Sequence, residues 1–474
     1  MPARRSSVAW DEVRAAAASL SVLRAVFDDP AGRLWLDLVD VAASGSASSS
    51  GSSLRAGQLF ARLFAILAGE AELAVEPLVG DAWQHHVLAR ALRDENPFSV
   101  KAERAGRRAI GRALLAQVRA DLAALERCYR LGGTELCREV ARRTGRPLAS
   151  LAGFRPMATS GAETAEHRMQ RRLAATRGWP KLAGPLADYF RAHGVGLFAR
   201  YRAFRWVRGG DGRGHLEGVR QPDPVRLDDL VGYEMERQPA VDNTRQFVAG
   251  LPANNVLLYG DRGTGKSSTV KALLTEFHAQ GLRLIEVAKE HLGDYPQIIA
   301  PLRGRRERFV LFVDDLSFEE HETQYKALKA ALEGSLEARP ENVVLYATSN
   351  RRRLVREWFG DRGAPSGEGD DVHVEETVQE KLSLADRFGI HVPFLIPDQD
   401  RYLEIAAAVA VRYGIRLPAE EVRRRALRWS QWHNGHSPRT ARQFVEALRG
   451  EITLSRAGGG MSRRGRAGRD GRRG

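Results

Sequence analysis

The chain has 474 residues, enough for about three domains of ordinary size and for a sizeable hydrophobic core. Hydrophobic residues make up 43% and charged residues 28%, and these fractions exclude a wholly disordered protein. The two cysteines, Cys128 and Cys137, form neither a disulfide framework nor a metal-site spacing, so we expect a reducing, cytoplasmic location. We find no apolar run of the roughly 20 residues that a membrane span requires, and the first residues lack the apolar core of a signal peptide.

The basic charge of the chain is unevenly distributed. The formal net charge is +14, and arginine supplies it, with 65 arginines against 8 lysines. We interpret this bias as the mark of a G+C-rich genome rather than of selection for phosphate binding. Residues 456–474 alone carry +6, which leaves +8 for the rest of the chain. The charge therefore permits nucleic acid as a partner but identifies neither a fold nor a function.

The first part of the chain is predicted to be helical. Apolar residues recur at three- and four-residue spacing from residue 10 onward, which predicts a mainly α N-terminal domain over residues 1–208. The Ser/Gly run at 43–53 is expected to be a flexible loop, and the Gly-, Asp- and Pro-containing segment 209–224 is the predicted linker. Arginines and aromatic residues are interleaved at 189–206, and we favour an amphipathic helix there over a stacking platform for single strands.

After the linker the pattern changes to alternating strands and helices. Short apolar runs at 255–259, 282–287, 309–313 and 343–347 predict a buried parallel sheet within an α/β core at residues 225–397. Helical periodicity returns at 399–413, 419–432 and 439–448, so residues 398–450 are predicted to form a helical lid. We expect an acidic, mobile insertion at 360–376 and a disordered Arg/Gly tail at 451–474.

A phosphate-binding loop follows the first core strand. The sequence G-x-x-x-x-G-K-[ST] lies between an apolar strand and a helix, a context that a chance match would rarely have. Its glycines allow backbone N–H groups to surround the β- and γ-phosphates, and the helix N-terminus faces the same charge. The predicted nucleotide-binding residues are Gly260, Asp261, Arg262, Gly263, Thr264, Gly265, Lys266, Ser267 and Ser268. Lys266 is expected to neutralise the β/γ oxygens and Ser267 to ligate Mg²⁺.

Polar side chains end two further core strands. Asp314 and Asp315 follow the buried strand at 309–313, where we expect Asp314 to hold Mg²⁺ and Asp315 to polarise the attacking water. Asn350 follows the strand at 343–347, where its amide is placed to bond the γ-phosphate and that water. The simpler alternative for each is an ordinary solvated strand end, and the order of the motifs along the chain favours the functional interpretation.

Taken together, these motifs resemble an AAA+ ATPase over about residues 225–450. The segments LVGYE, NNVLLYGDRGTGKSSTVKALL, FVLFVDDLSFEE, YATSNRRRL, EKLSLADRFG and SPRTARQFV are similar to an uncharacterised bacterial AAA+ family, a domain of unknown function whose members also carry a helical N-terminal half. The resemblance implies an α/β fold with a P-loop parallel sheet and a helical lid of the AAA+ type, preceded by a mainly α N-terminal domain. It also implies ATP and Mg²⁺ at the site.

The resemblance assigns roles to individual positions. Asn350 matches the first sensor, Arg439 the second sensor at the lid, and Val231 the segment that packs near adenine. Arg387 matches the arginine finger that reaches a neighbouring subunit's nucleotide, and a surface ion pair with an adjacent acid is its alternative. Most AAA+ proteins have Asp-Glu where this chain has Asp-Asp, so hydrolysis is expected to be slow.

Three functions remain open at the level of sequence. The first is an ATP-hydrolysing assembly, expected to be a homo-oligomer, that remodels a protein partner through the N-terminal domain. The second is a nucleic-acid-linked loader or initiator-type ATPase, which the Asp-Asp pair and the basic tail favour. The third is a nucleotide-gated scaffold with little turnover.

Overall fold

The computed structural model describes residues 10–44, 50–157, 163–210, 212–316, 339–350, 387–433 and 435–464. The chain divides into two compact units, Met1–Arg200 and Tyr201–Gly474. Each unit has its own hydrophobic core, and each is described by itself.

The N-terminal unit is built from helices. They are α1 (Trp10–Ser19), α2 (Pro30–Ala43), α3 (Ser50–Glu72), α4 (Ala82–Arg93), α5 (Pro97–Ala105), α6 (Arg112–Arg130), α7 (Gly133–Thr144), α8 (Ala165–Ala175), α9 (Ala183–His193) and α10 (Gly196–Arg200). Several begin at a capping side chain: Asp29 accepts a hydrogen bond from the N–H of Gly32, and Asp81 caps α4 through Gln84. Such caps satisfy N–H groups that have no partner within the helix.

Aromatic side chains form the centre of this unit. The ring of Trp35 stacks on Trp83 at 4.6 Å and on Phe27 at 5.2 Å, and all three are at most 2% exposed. Beside them the buried His86 lies between two carboxylates, 3.2 Å from Asp29 and 2.7 Å from Glu70. Burial alone would lower the pKa of His86, but the two adjacent carboxylates outweigh it and raise the pKa to about 9. The imidazolium is therefore part of the packing of this unit at neutral pH.

The second unit contains a sheet of seven described strands, parallel apart from one pair. The strands are β1 (Ala203–Arg208), β2 (Gly214–Gly218), β3 (Val256–Gly260), β4 (Leu282–Glu286), β5 (Arg308–Val313), β6 (Val343–Ser349) and β7 (Ile390–Phe394). Their order is β2-β1-β4-β5-β6-β3-β7, and only the β1–β2 pair is antiparallel. The central strands are buried along their length, as expected where helices cover both faces of a parallel sheet.

The helices of this unit include α11 (Glu234–Val248), α12 (Lys266–Phe277), α13 (Tyr295–Ile299), α14 (Gln399–Arg412), α15 (Ala419–Trp432) and α16 (Pro438–Arg464). The last three form the lid. They pack around a separate small core that includes Tyr402, Ile405, Phe444 and Val445. The predicted fold class, a P-loop parallel sheet with a helical lid preceded by a mainly α domain, is confirmed.

The structure differs from the sequence prediction at the start of the second unit. The helical unit ends at Arg200 rather than at 208, and the predicted linker 209–224 contains a strand. In β1 the buried Phe204 and Trp206 alternate with the exposed Arg205, which is the two-residue period of a strand. Asp294 then fixes the strand, accepting hydrogen bonds from the Trp206 indole at 2.8 Å and from the Arg208 guanidinium. The β1–β2 hairpin therefore extends the sheet by two strands.

The alternative of a stacking platform at 189–206 is also wrong. Four of its six aromatic side chains, Phe190, Phe198, Phe204 and Trp206, are at most 6% exposed, and Tyr189 and Tyr201 are half-buried, so the segment presents no row of rings to bases. The favoured amphipathic helix is right only as far as Arg200.

The end of the lid also extends further than predicted. Helix α16 continues through 451–464, a segment that we expected to belong to the tail. The expected insertion at 360–376 and the tail residues 465–474 lie outside the described residues. Within the described ranges, no helix has the length and apolar character needed to cross a bilayer.

Candidate functional site

The phosphate loop connects β3 to α12 at the carboxyl edge of the sheet. Gly260 has φ = 130°, and a Cβ atom there would lie 2.1 Å from the backbone oxygen of Phe394, so only glycine fits. Gly263 and Gly265 also have positive φ, at 80° and 99°. The backbone N–H of Asp261 donates to the Phe394 carbonyl at 2.9 Å, and its side chain accepts from the N–H of Ile396. Gly260 and Asp261 thus anchor the loop to the end of β7, while residues 262–268 line the cavity beside it.

Lys266 is folded back into its own loop. Its Nζ atom donates to the carbonyl oxygens of Gly260 at 3.0 Å and Asp261 at 2.6 Å, and the residue is only 5% exposed. Burial lowers the pKa of Lys266 from its ordinary value of 10.5 to about 8, although the carboxylates of Asp261, Asp315 and Asp314 oppose this effect. An incoming polyanion would complete the neutralisation of this ammonium group.

Asp314 is held by two hydroxyl groups. The Oδ1 atom of Asp314 accepts a hydrogen bond from Ser267 Oγ at 2.6 Å and another from Thr348 Oγ1 at 2.6 Å. The pairing of β5 with β6 ends at Val313 opposite Ala347, so the next residues, Asp314 and Thr348, are adjacent across the sheet edge. Hydroxyl and carboxylate oxygens are the hard ligands that Mg²⁺ prefers, so these groups fit the predicted metal site.

Thr348 is a site residue that the sequence analysis missed. It lies two positions before Asn350, and side chains two apart on a strand share a face, so the strand period was the available signal.

Asp315 has a strained backbone. Its φ of 51° makes it the one non-glycine residue with positive φ in the part of the chain that the structure describes. The conformation is held by a hydrogen bond from the Asp315 N–H to Thr348 Oγ1 at 2.9 Å and by one from the Asn350 amide to the Asp315 carboxylate. Left-handed backbone at a non-glycine residue is uncommon and concentrates at functional sites. The strain aims this carboxylate into the cavity beside Asn350.

The lid contacts the phosphate loop directly. The backbone N–H of Arg439, at the start of α16, donates to the carbonyl of Gly263 at 3.1 Å. The helix start is capped by Ser437, whose hydroxyl accepts from the N–H of Thr440 at 3.1 Å. Arg439 itself lines the cavity. The backbone bond to Gly263 therefore fixes the position of Arg439 relative to the phosphate loop.

These groups surround one cavity of about 990 Å³ between the sheet edge and the lid. Known ligand sites occupy about 300–1,000 Å³, so the space suits a nucleotide. One end contains the phosphate loop, Asp314, Asp315, Asn350 and Arg439. The other end includes the apolar side chains of Val231 and of Ile405 and Val409 of α14, with Arg237 beside them donating to the Leu230 carbonyl. Gly232 packs so closely on the lid that a Cβ atom would lie 2.5 Å from Ile405.

Arg387 lies at the opposite edge of the sheet. It comes three residues before β7, and β7 runs parallel to β3 with Gly260 beside Phe394 at the carboxyl end. At about 3.3 Å per residue, the strand alone separates Arg387 from the level of its own phosphate loop by more than ~13 Å.

Three arginines in the cavity wall were not predicted from the sequence. They are Arg237, Arg412 and Arg442.

The chain matches one family model over residues 199–452, and its description is "Protein of unknown function (DUF815)". The chain belongs to this family. The match begins where the second structural unit begins, so the β1–β2 hairpin is part of the family's domain. The expectation that the chain belongs to a family of unknown function is thereby confirmed.

Other similarities are more distant. A putative 26S proteasome regulatory subunit homolog from Methanocaldococcus jannaschii is 27% identical over 151 residues, which cover 27% of this chain and 40% of that protein. The chain thus matches well under half the length of this curated relative. Two solved structures from Thermotoga maritima, a single-residue variant of RuvB and the RuvB Holliday junction branch migration motor, are 18% and 19% identical with TM-scores of 0.34 and 0.33. Each match covers 49% of this chain and 67% of the RuvB chain.

Proposed function

We propose that this protein binds ATP in the cavity between the sheet and the lid, hydrolyses it, and couples the nucleotide state to remodelling of a protein partner. The observation that carries the proposal is the convergence of Lys266, Asp314, Asp315, Asn350 and Arg439 on one cavity around a phosphate loop. A loop that bound phosphate for another purpose would not need a second carboxylate beside an amide and a lid arginine.

The two ends of the cavity contact different parts of the nucleotide. The phosphates lie against the N–H groups of the loop and the positive end of α12, with Lys266 neutralising the β/γ oxygens. The base lies at the other end, against Val231 and the α14 face of Ile405 and Val409. Arg439 then faces the phosphates from the lid.

Ser267 and Asp314 would hold Mg²⁺, which supplies charge neutralisation of the phosphate oxygens when bound. Asp315 is placed to accept a hydrogen bond from the attacking water, and Asn350 orients both the water and the carboxylate. Aspartate is one methylene shorter than the glutamate of most AAA+ proteins. We therefore expect turnover to be slow rather than absent.

The coupling to a partner passes through the lid. Because Arg439 is bonded to Gly263 through the backbone, movement of the loop on phosphate binding also moves the start of α16. We assign recognition of the protein partner to the N-terminal unit, which forms its own core.

We infer a homo-oligomer from the position of Arg387. An arginine at the far edge of the sheet serves a neighbour's nucleotide better than its own, and such arginines contribute ~10³–10⁵ to phosphoryl-transfer rates. Mixing Arg387→Ala with Lys266→Ala chains tests this directly. We expect turnover to be restored, because an Arg387→Ala chain keeps its phosphate loop and a Lys266→Ala neighbour supplies Arg387. If mixing does not restore turnover, the site is not shared between subunits.

Phosphate release from MgATP by the full chain tests the proposed activity. Lys266→Ala is expected to abolish both nucleotide binding and turnover, because the loop loses its cation. Lys271→Ala is the matched control, since Lys271 lies on the same helix outside the cavity wall. Binding of ATP without measurable turnover in the wild type, with an ATP-dependent change in oligomer size, would favour the nucleotide-gated scaffold instead.

A nucleic-acid-linked ATPase is the second candidate. The exposed side chains of Trp432 and Arg428 on the lid favour it. Turnover measured with and without single-stranded DNA separates it from the first, because only a nucleic-acid-linked enzyme is stimulated by the strand.

A further inference from the structure

Helices α15 and α16 form a groove on the lid, distinct from the nucleotide cavity. We call it the lid groove. It has a volume of about 480 Å³, and its lining includes Arg428, Trp429, Trp432, His433, Phe444 and Leu448. The two sets of lining residues have none in common. The ATPase chemistry therefore does not account for the groove.

The aromatic residues of the groove are presented to solvent. Trp432 is 84% exposed at the end of α15, which is unusual for so large an aromatic side chain. Next to it, the rings of Trp429 and His433 stack at 4.0 Å with an interplanar angle of 8°. Among the described residues, the indole N–H of Trp429 has no hydrogen-bond partner. The lining of the groove thus includes an exposed ring, that of Trp432, and a buried N–H donor, that of Trp429.

The charge around the groove is positive. Arg425 is neutralised by Glu421 at 2.6 Å and Glu451 at 3.0 Å, whereas Arg428 has no ion pair within the described ranges. Over residues 398–455 of the lid, the sequence has 10 arginines against 7 acidic residues. This part of the lid therefore carries +3, and a polyanion is complementary to Arg428.

We propose that the lid groove binds single-stranded DNA, with a base stacked on Trp432 and a backbone phosphate paired with Arg428. Exposed aromatic rings next to arginines are the elements by which proteins hold single strands without reading sequence. A duplex does not fit, because its bases are already stacked on each other. Glu451 is the one carboxylate among the described residues that line the groove, and Arg425 neutralises it, so it does not repel a backbone phosphate. Binding at this surface does not require ATP hydrolysis.

Fluorescence anisotropy of a labelled oligothymidine of about 20 nucleotides tests the proposal with the full chain. Trp432→Ala is expected to weaken binding about tenfold, the usual effect of losing one stacked base, while Trp432→Phe retains most of the affinity. Arg428→Ala should reduce the slope of log K against log salt by about 0.7, the loss of one phosphate contact to a single strand. Arg416→Ala is the matched control, an exposed lid arginine outside the groove.

Several outcomes would overturn the assignment. One is oligothymidine binding that is unchanged in Trp432→Ala, since the tail would then be the binding segment. Tighter binding of the uridine RNA of equal length would contradict the choice of DNA. An acidic amphipathic peptide whose binding is lost in Trp432→Ala, while the oligonucleotide is unaffected, would assign the groove to a protein. ATP turnover without oligonucleotide should stay at the wild-type level in Trp432→Ala, so failure of this inference is distinguishable from failure of the proposed ATPase.

Discussion

The unusual state of Lys266 makes nucleotide affinity pH-dependent in a predictable direction. In the unliganded cavity the pKa of Lys266 is about 8, because burial disfavours the charged form. Bound ATP would raise this pKa, since the phosphates surround the ammonium group with negative charge. Binding is therefore strongest below about pH 8, where the ammonium is already present, and weakens above it because each binding event must first take up a proton.

The size of the effect follows from linkage. With an unliganded pKa of about 8, and with bound phosphate restoring the ordinary lysine value of 10.5, affinity falls roughly tenfold between about pH 7.5 and 9. Titration calorimetry with a nonhydrolysable ATP analogue measures this loss, and repeating it in buffers of different ionisation enthalpy counts the protons taken up. Lys266→Arg is the control, because a guanidinium does not titrate in this range and its profile should be flat. A flat wild-type profile, or an equal fall in Lys266→Arg, would refute the reasoning.

Three further predictions concern other parts of the molecule. Because the pKa of His86 is raised to about 9, its protonated ring adds roughly 3 kcal/mol to the free energy of unfolding. This stabilisation is complete below about pH 6.5 and is lost as the pH rises through 9. The thermal unfolding temperatures of wild type and His86→Gln should therefore converge at high pH. Gly260→Ala places a Cβ atom 2.1 Å from the Phe394 carbonyl oxygen, and we expect loss of ATP binding by calorimetry with helical content by circular dichroism unchanged. Thr348→Val removes a hydroxyl that holds Asp314, and turnover should fall about 10–100-fold, in assays of phosphate release, with little change in ATP affinity.

The parts of the site that local sequence determines were predictable. The phosphate loop and the Asp314–Asp315 pair could be found because each is a short pattern at the end of an apolar run. Thr348 was missed because its role depends on the register between β5 and β6, which the sequence does not state. The backbone bond from Arg439 to Gly263 joins residues far apart in the chain, so only the fold reveals it.

The start of the sheet was mispredicted for a related reason. Residues 203–208 follow two helices and are rich in arginine, which also favours a helix. The two-residue alternation that indicates a strand is only six residues long here, so the sequence predicted a helix. The bonds from Trp206 and Arg208 to Asp294 span more than 80 residues and stabilise the strand against its local preference.

The measurement that tests the central claim most directly is the separation of ATP binding from turnover in Asp315→Asn. The carboxylate of Asp315 acts on the attacking water, whereas the loop and the lid bind ATP. We therefore expect the variant to bind ATP with wild-type affinity, to release no phosphate above background, and to retain whatever partner ATP turnover normally releases. Phosphate release at the wild-type rate in Asp315→Asn would contradict the account.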